Sequence, residues 1–365
     1  MALTYRPLKA WLKIPVNGMY FYRIRFKDFS EINYVDNDII SLAANDPKFY
    51  IVLDQTLEAY AYKNFYHINK FVKQNNIEKK LIFLSAHANV DREYKLWCKH
   101  NGELIRFKVL HFNGWLASIK RHFIDTGLNF NLEKTKWFCC LNHRPHHHRI
   151  ASLIYLDYLN LINQGIVTGH DRNYEDRMED MDEFNNYDNF VNEIMKKFSP
   201  QYTPIIGKQR SLTHKKLPLI YDLEDLGNSC QPFAINETIF NDCLINLVTE
   251  TFYLNHWNYD SEMFITEKTI KAILSKQIFI IVGPRHFLKY LRSMGIQTFG
   301  NVIDESYDDE PDETRLFSAI NALKSSMEKY TLTELSDLTR DIRFKNHKTY
   351  LKLKFNINLP QMILK

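Results

Sequence analysis

The sequence predicts an α/β protein built on parallel sheets, and three observations lead to that prediction. Short apolar runs of strand length alternate with amphipathic stretches of helix length, which is typical of parallel strands joined by helical crossovers. The alternation occurs twice, before and after about residue 130. The chain of 365 residues is also long enough for two domains. We therefore expect domains at 1–132 and 133–345, followed by a tail at 346–365.

The composition excludes several other classes of protein. Hydrophobic residues make up 45% of the chain and charged residues 25%, as in ordinary globular proteins. With 11 Gly and 11 Pro, collagen-like and Pro-rich disordered chains are excluded. The sequence contains no apolar run long enough to span a bilayer and begins without the apolar core of a signal peptide, so we expect a cytoplasmic protein. Its five cysteines lack framework spacing and are expected to be free, buried thiols.

The first half is predicted to contain four strands and two helices. Residues 19–29 alternate between basic and apolar side chains, which indicates a strand with a charged face. The basic face carries Arg23, Arg25 and Lys27, and the apolar face carries Tyr22, Ile24 and Phe26. Apolar runs predict further strands at 49–54, 80–90 and 103–112, and helical periodicity predicts helices at 57–75 and 90–102.

The second half repeats this pattern around a long polar region that includes the acidic stretch 171–193. Strands are predicted at 136–142, 166–170, 243–251, 277–283 and 296–300. Helices are predicted at 147–165, 265–276, 286–295 and through most of the chain from Asp312. Strands followed by helices again favour a doubly wound parallel sheet.

The charge is distributed unevenly between the halves. Residues 1–130 hold 19 Lys and Arg against 12 Asp and Glu, whereas residues 131–365 hold 28 against 31. The basic first half is compatible with a polyanionic or phosphate-bearing partner and equally with a solvated basic surface.

A helix start near residue 266 is the first candidate site. Thr266 is placed to cap the predicted helix, and Glu267 and Lys268 fall in its first turn. A helix N-terminus at the carboxyl edge of a sheet binds anions, and Lys268 would add a full positive charge there. Glu267 would accept hydrogen bonds from ribose hydroxyls, and the chain turns tightly at Gly283, where a ligand can approach closely. The alternative is a capped amphipathic helix whose charged residues are merely solvated.

A basic turn between a strand and a helix is the second candidate site. Its cationic residues are Arg144 and Arg149, accompanied by His143, His146, His147 and His148. Arginine suits a diphosphate because its planar fork donates two parallel hydrogen bonds. A metal site built from the histidines and a set of solvated turn residues remain as alternatives.

These two segments resemble a known family. The pattern K-x-F-C…N…R, followed by F-x-T-E-K…I…G-P, resembles the donor half of the alpha-1,3-fucosyltransferases. The longer string from T-E-K-T-I-K-A-I to V-I-D-E-S-Y is similar to glycosyltransferase-like proteins of large tailed bacteriophages. The resemblance covers 136–165 and 243–310. It implies the GT-B fold, in which two Rossmann-like domains face each other across a cleft, and an inverting transfer from a nucleotide sugar.

The resemblance also implies roles for individual residues. Arg149 and Lys268 would hold the diphosphate and Glu267 the ribose, with no metal or cofactor required beyond the nucleotide sugar. The full predicted donor site comprises Asn142, Arg144, Arg149, Glu250, Thr266, Glu267, Lys268 and Gly283.

The catalytic base is expected in the first domain. The fucosyltransferases carry a glutamate there in a Gly-Glu-Asn loop, which this sequence lacks. An inverting transfer needs a group that takes the proton of the acceptor hydroxyl. Candidates near predicted strand ends are Asp54 and Glu58, then Asp91 and His87, each with a structural role such as helix capping as the alternative.

We therefore expect a nucleotide-sugar-dependent glycosyltransferase, with 5-hydroxymethylcytosine in phage DNA as the first choice of acceptor. A basic, aromatic-rich first half would suit a double-stranded DNA acceptor whose base is flipped. The alternatives are a glycan or lipid-linked sugar as acceptor, or a non-catalytic nucleotide- or nucleic-acid-binding module. Asp180 and Asp182 resemble a metal-binding pair but lie in a polar acidic run, where solvated carboxylates are expected.

Overall fold

Two four-stranded parallel sheets form the framework of the part of the chain described by a computed structural model. The described residues are 19–25, 32, 35–56, 62–122, 133–142, 146–169, 196–206, 235–253 and 263–354. They fall into two compact units. The described residues of unit 1 lie within Met1–Ser118, Glu262–Phe264 and Lys354–Lys365, and those of unit 2 lie within Ile119–Ser261 and Ile265–Leu353. The described residues therefore form a mixed α/β structure with two four-stranded parallel sheets, which is compatible with Rossmann-like domains.

Unit 1 contains a sheet in which strands adjacent in the chain are also adjacent in space, in the order β1-β2-β3-β4. Its elements are β1 (Tyr20–Arg25), α1 (Asn37–Asn45), β2 (Phe49–Gln55), α2 (Tyr62–Gln74), β3 (Leu81–Ser85), α3 (Val90–Asn101) and β4 (Lys108–His111). Helix α4 (Gly114–His122) begins in unit 1 and continues into unit 2. Each parallel pairing requires a crossover from the carboxyl end of one strand to the amino end of the next. Helices α1, α2 and α3 occupy these crossovers.

The sheet of unit 1 is covered on both faces. Every residue of β3 is buried, as expected for a parallel strand between two layers. On one face, side chains such as Leu53 and Phe83 pack with Phe65 of α2 and Tyr94 of α3. The other face buries Phe21, Val52, Ile82 and Leu84. The alternation predicted for β1 is therefore only partly a charged face, because Phe21 is buried on the side where Arg23 also lies.

Unit 2 contains a sheet of order β6-β5-β7-β8. Its strands are β5 (Lys136–Leu141), β6 (Gly165–Thr168), β7 (Cys243–Thr249) and β8 (Ile278–Val282). Its helices are α5 (His147–Tyr158), α6 (Glu237–Asp242), α7 (Glu267–Leu274), α8 (Phe287–Ser293), α9 (Asp312–Lys329) and α10 (Leu332–Lys352), with 3-10 turns at Ile162–Gln164 and Ser306–Asp309.

The strand order of unit 2 changes direction between β5 and β7. From β5 the chain crosses outward to β6, whereas from β7 it crosses the opposite way to β8. Because parallel crossovers are right-handed, α5 and α7 lie on opposite faces of the sheet. Accordingly, Tyr155 of α5 packs on Phe317 of α9, with ring centroids 5.0 Å apart, and His347 Nδ1 of α10 lies 2.8 Å from the Leu274 carbonyl oxygen of α7. Such a switch point leaves a crevice at the carboxyl ends of the strands, where ligands bind in open α/β sheets.

The strand predicted at 296–300 is absent, although the structure describes every residue there. Ile296 and Phe299 are buried, which explains their apolar pattern. The backbone of Gln297 bonds to a side chain of α10 in place of a neighbouring strand. Its amide donates to Asn346 Oδ1 at 2.8 Å, and its carbonyl oxygen accepts from Asn346 Nδ2 at 2.7 Å. A side chain therefore satisfies the polar groups that a sheet would otherwise bond.

Several element boundaries differ from those predicted. Helices α1, α4 and α6 were not predicted, and α5 ends at Tyr158, well before the Gly165 expected to stop it. The last helix runs to Lys352 and so crosses the start of the tail predicted at residue 346. Burial explains this continuation, because Asn346, His347 and Tyr350 are buried.

The described residues include four of the five cysteines. Cys98, Cys139, Cys140 and Cys243 are buried free thiols, as predicted, and Cys230 lies outside the described residues. In the described ranges, no helix combines the length and apolarity needed to cross a membrane.

Candidate functional site

A buried carboxylate, that of Glu250, lies where β7 ends at the switch point. Its side chain is fully buried. It accepts hydrogen bonds from the backbone amides of Thr251 at 3.1 Å and Thr266 at 3.3 Å, and from the Thr266 hydroxyl at 2.6 Å. The Thr269 hydroxyl donates to the same carboxylate. Glu250 therefore joins the end of β7 to the first turn of α7.

The backbone of Glu250 joins the same strand end to α5. Its carbonyl oxygen lies 2.8 Å from His148 Nε2 and accepts a longer hydrogen bond, of 3.4 Å, from an Arg149 guanidinium nitrogen. His148 and Arg149 are in the first turn of α5, and both are buried. The N-termini of α5 and α7 thus converge on one residue, and this convergence depends on the strand order.

His148 is a neutral imidazole in this arrangement. Burial, and then the positive charge of Arg149, hold the pKa of His148 well below its ordinary value. Because its Nε2 faces a carbonyl oxygen, Nε2 carries the ring proton and donates a hydrogen bond to that oxygen. The ring also stacks on Tyr253, with centroids 5.4 Å apart. His148 therefore acts as a fixed spacer between α5 and the chain after β7, and it adds no charge beside Arg149.

Lys268 and Glu267 form the polar rim of the site at the start of α7. Lys268 Nζ lies 3.0 Å from Glu267 Oε1 and 3.2 Å from the hydroxyl oxygens of Thr251 and Thr266. Burial alone would raise the pKa of Glu267, but the charge and hydrogen bond of Lys268 bring it below its ordinary value. Both side chains are about one-fifth exposed, 23% for Lys268 and 21% for Glu267. An ammonium and a carboxylate within reach of solvent at a helix N-terminus can bind a phosphate and a diol, respectively.

Thr266 is the N-cap of α7, as predicted. Its hydroxyl oxygen accepts a long hydrogen bond, of 3.4 Å, from the Lys268 backbone amide. The same hydroxyl donates a hydrogen bond to the Glu250 carboxylate. The site therefore contains a cap that is itself held by the buried carboxylate, and α7 begins at the next residue.

Asn142 and Gly283 lie at the same edge in packing roles. The backbone N–H of Asn142 donates to the Thr168 hydroxyl of β6 at 2.9 Å. The side-chain Oδ1 of Asn142 accepts a hydrogen bond from the Thr249 hydroxyl of β7 at 2.5 Å. Asn142 thus links the strands on either side of β5. A Cβ added at Gly283 would lie 3.2 Å from Ile281 and 3.4 Å from Glu250, so this glycine allows β8 to end close to the buried carboxylate.

The predicted donor residues are thus largely brought together, and two predicted site residues cannot be placed. Asn142, Arg149, Glu250, Thr266, Glu267, Lys268 and Gly283 share the carboxyl edge of unit 2. Arg144 and Glu58 lie outside the described residues, as do Asp180 and Asp182. Roles for these residues stay predictions.

Asp54, the other predicted base, is held by local contacts at the end of β2. Its side chain is 1% exposed. Arg23 Nε donates to its Oδ2 at 2.7 Å, and the Thr56 amide donates to its Oδ1 at 3.0 Å. These contacts give the carboxylate a structural role in joining β1 to β2, and a role as base stays a prediction.

His87 and Asp91 occupy different environments near the same edge of unit 1. His87 is fully buried, accepts a hydrogen bond from the Asn89 amide at Nδ1 (3.2 Å), and has Nε2 2.7 Å from Glu93 Oε1. A backbone amide therefore occupies Nδ1, and Nε2 lies within ion-pair distance of the Glu93 carboxylate. Asp91 is exposed on α3 and pairs with Lys95 at 2.6 Å, which is a common surface arrangement.

Two residues near the carboxyl edges of the two sheets were not predicted from the sequence. His111 ends β4, and its Nε2 is buried and has no hydrogen-bond partner in the described ranges. Burial, and then the neighbouring His87, lower the pKa of His111 to about 4. Arg315 of α9 reaches the edge of unit 2 from far along the chain. The position of His111 after an apolar run was a usable signal, whereas the sequence around Arg315 contains none.

The residues covered by the structure include no cluster of three or more His, Cys, Asp or Glu side chains able to hold a metal ion. In particular, His148 is turned toward a backbone carbonyl oxygen, and His146 stacks on it with centroids 6.0 Å apart. These two histidines are arranged as a packed pair.

The chain matches no protein-family model, no curated protein and no solved structure.

Proposed function

We propose that this protein is a glycosyltransferase that moves a sugar from a nucleotide-diphosphate donor to an acceptor hydroxyl, with inverting chemistry and a GT-B arrangement of its two domains. The observation that carries the proposal is the convergence of two helix N-termini at the switch point of unit 2, with Arg149 in one and Lys268 in the other. Switch points bind nucleotides in other α/β sheets, and helix N-termini favour phosphate.

In this proposal, different residues of the site bind different parts of the nucleotide-sugar donor. Arg149 and Lys268 bind the diphosphate, and Glu267 accepts hydrogen bonds from the ribose hydroxyls. As the bond from sugar to phosphate breaks, negative charge grows on the departing diphosphate, and fixed cations and helix ends stabilise it. The nucleotide sugar is a co-substrate, and the proposed chemistry requires no further cofactor.

The acceptor is proposed to be a hydroxymethylated base in double-stranded DNA. The excess of 19 basic over 12 acidic residues in 1–130 supports this choice, together with the resemblance to phage proteins. The base that takes the acceptor's proton would come from unit 1, where Asp54 and Glu58 are the predicted candidates. A glycan or a lipid-linked sugar is the competing acceptor.

The donor site is tested by thermal unfolding with UDP, GDP, ADP, CDP and their sugar derivatives. A ligand that binds only the folded protein raises the unfolding midpoint. We expect a rise with one nucleotide that is lost in Lys268→Ala. Lys271→Ala, one turn further along the same helix, is the matched control and should keep the rise.

The other outcomes separate the alternatives. No midpoint shift with any nucleotide would contradict the glycosyltransferase proposal. Nucleotide binding without transfer to hydroxymethylated DNA, but with transfer to a glycan, would favour the competing acceptor. Salt-sensitive binding of duplex DNA without turnover of any sugar nucleotide would instead favour a non-catalytic binding module.

A further inference from the structure

Arg315 is a buried arginine whose donors reach three separate segments of unit 2. Arg315 is 1% exposed. Its Nε donates to the Gly283 carbonyl oxygen at 2.9 Å, and its two terminal nitrogens donate to the carbonyl oxygens of Glu310 and Tyr253, each also at 2.9 Å. A fourth hydrogen bond, of 2.6 Å, goes to Asp312 Oδ1 and provides a counter-charge.

Two of these carbonyl groups belong to the loops that border the candidate site. Gly283 directly follows β8, and Tyr253 comes shortly after β7. The guanidinium also lies over the Tyr253 ring at 4.8 Å, and that ring stacks on His148. On the β8 side, a Cβ at Gly283 would come within 3.4 Å of Glu250. Both loops thus connect Arg315 to residues that hold the N-termini of α5 and α7.

We propose that Arg315 is a positioning residue of the nucleotide site, which holds the loops after β7 and β8 at the spacing that nucleotide binding requires. This inference rests on the proposed nucleotide-dependent function. The planar guanidinium donates in several fixed directions at once, so it bonds carbonyl groups of separate segments in one plane. A lysine keeps the charge but presents a single nitrogen, which leaves at least one of these buried carbonyl groups unsatisfied.

The same unit contains a matched control at the other end of the sheet. Arg343 of α10 is 5% exposed. Its guanidinium donates to the Lys276 carbonyl oxygen, just before β8, at 2.9 Å, and to the Ser336 carbonyl oxygen at 2.8 Å. Arg343 thus resembles Arg315 in burial and bonding, but it serves the amino end of β8. A purely structural role predicts the same effect for both arginines.

The test compares Arg315→Lys with Arg343→Lys in the full chain. The dissociation constants of UDP, GDP, ADP and CDP are measured by calorimetry at a temperature where both variants are folded. For the nucleotide that binds the wild type, we expect Arg315→Lys to weaken binding roughly tenfold or more, because a small displacement of positioning groups is costly. We expect Arg343→Lys to stay within about twofold. With a sugar nucleotide, Arg315→Lys should raise the donor KM more than it lowers kcat.

The possible outcomes distinguish a failure of the proposed function from a failure of this inference alone. If the wild type binds none of the four nucleotides, the proposed function fails and this inference fails with it. If the wild type binds but Arg315→Lys binds equally well, or if both variants lose equal affinity, the inference alone is overturned. Should Arg315→Lys not fold, Asp312→Ala decides, since it removes one acceptor of the guanidinium at a partly exposed position. Unchanged nucleotide affinity in that variant would also overturn the inference.

Discussion

At the scale of single residues, the two neighbouring glutamates of the candidate site have opposite roles. Glu250 is fully buried, and its carboxylate accepts hydrogen bonds from Thr251, Thr266 and Thr269. Glu267 is at the rim and pairs with Lys268. A buried acceptor that is matched to several donors stabilises the fold, whereas a partly exposed ion pair contributes little. The first residue should therefore affect stability and the second should affect ligand binding.

We expect Glu250→Gln to lower the free energy of unfolding by about 1–3 kcal/mol. One oxygen of Glu250 faces the Thr251 amide and the other faces the Thr266 amide. Either orientation of the glutamine therefore places its NH2 group against a backbone N–H. Denaturant unfolding measures this loss. Glu267→Gln is the control and should change stability by less than about 1 kcal/mol while weakening nucleotide binding. Equal effects of the two variants on stability would contradict this division.

At the scale of elements, β6 can approach β5 closely because a glycine stands where the two strands begin to pair. Gly165 begins β6 and is paired with Phe138 of β5. A Cβ at Gly165 would lie 2.5 Å from the Phe138 carbonyl oxygen and 2.8 Å from its ring. Its φ of -134° is accessible to any residue, so the requirement for glycine here is one of space.

Gly165→Ala should therefore destabilise the protein by about 1–3 kcal/mol, as overpacking does. Gly300→Ala provides a comparison, because its added Cβ would lie 3.2 Å from a Glu305 carboxylate oxygen, a milder overlap than the 2.5 Å approach at Gly165. We expect a clearly smaller loss there. The unfolding midpoints of the two variants in urea provide the measurement, and equal midpoints would show that β6 can move away from β5.

At the scale of the whole molecule, each unit has a histidine at the edge of its sheet whose pKa is lowered by desolvation. His111 lies at the edge of unit 1 and His148 at the edge of unit 2, and both have pKa values below the ordinary value. As the pH falls, the unfolded chain takes up protons at these residues before the folded chain does. Stability is therefore complete above the unfolded pKa of about 6.5 and decreases below it.

For His111, whose folded pKa is about 4, the decrease should extend from about pH 6.5 to about pH 4. One such residue contributes at most about 1.4 kcal/mol per pH unit. We expect His111→Gln to reduce the slope of unfolding free energy against pH between pH 6.5 and 5, where carboxylates titrate little. Denaturant titrations at several pH values in this window measure the slope, and an unchanged slope in the variant would refute the prediction.

Much of the fold could be predicted because its signals are local. Continuous apolar runs indicated β3, β7 and β8, and helical periodicity with Thr266 as a cap indicated α7. The strand expected at 296–300 was wrong because Ile296 and Phe299 are buried without joining a sheet, and the backbone of Gln297 bonds to Asn346 of α10 instead. A local pattern records that a side chain is buried, but it does not record what covers it.

The sequence by itself determined the α/β class, the two parallel sheets and the residue types at the candidate donor site. Only the tertiary structure decided that Glu250 is an internal support while Glu267 and Lys268 remain at the rim, and that Arg315 holds the neighbouring loops. The physical reason is distance along the chain. Helix and strand periodicity act over a few residues, whereas the contacts from Glu250 to Arg149 and from Tyr253 to Arg315 form only once the strand order has brought remote segments to one edge.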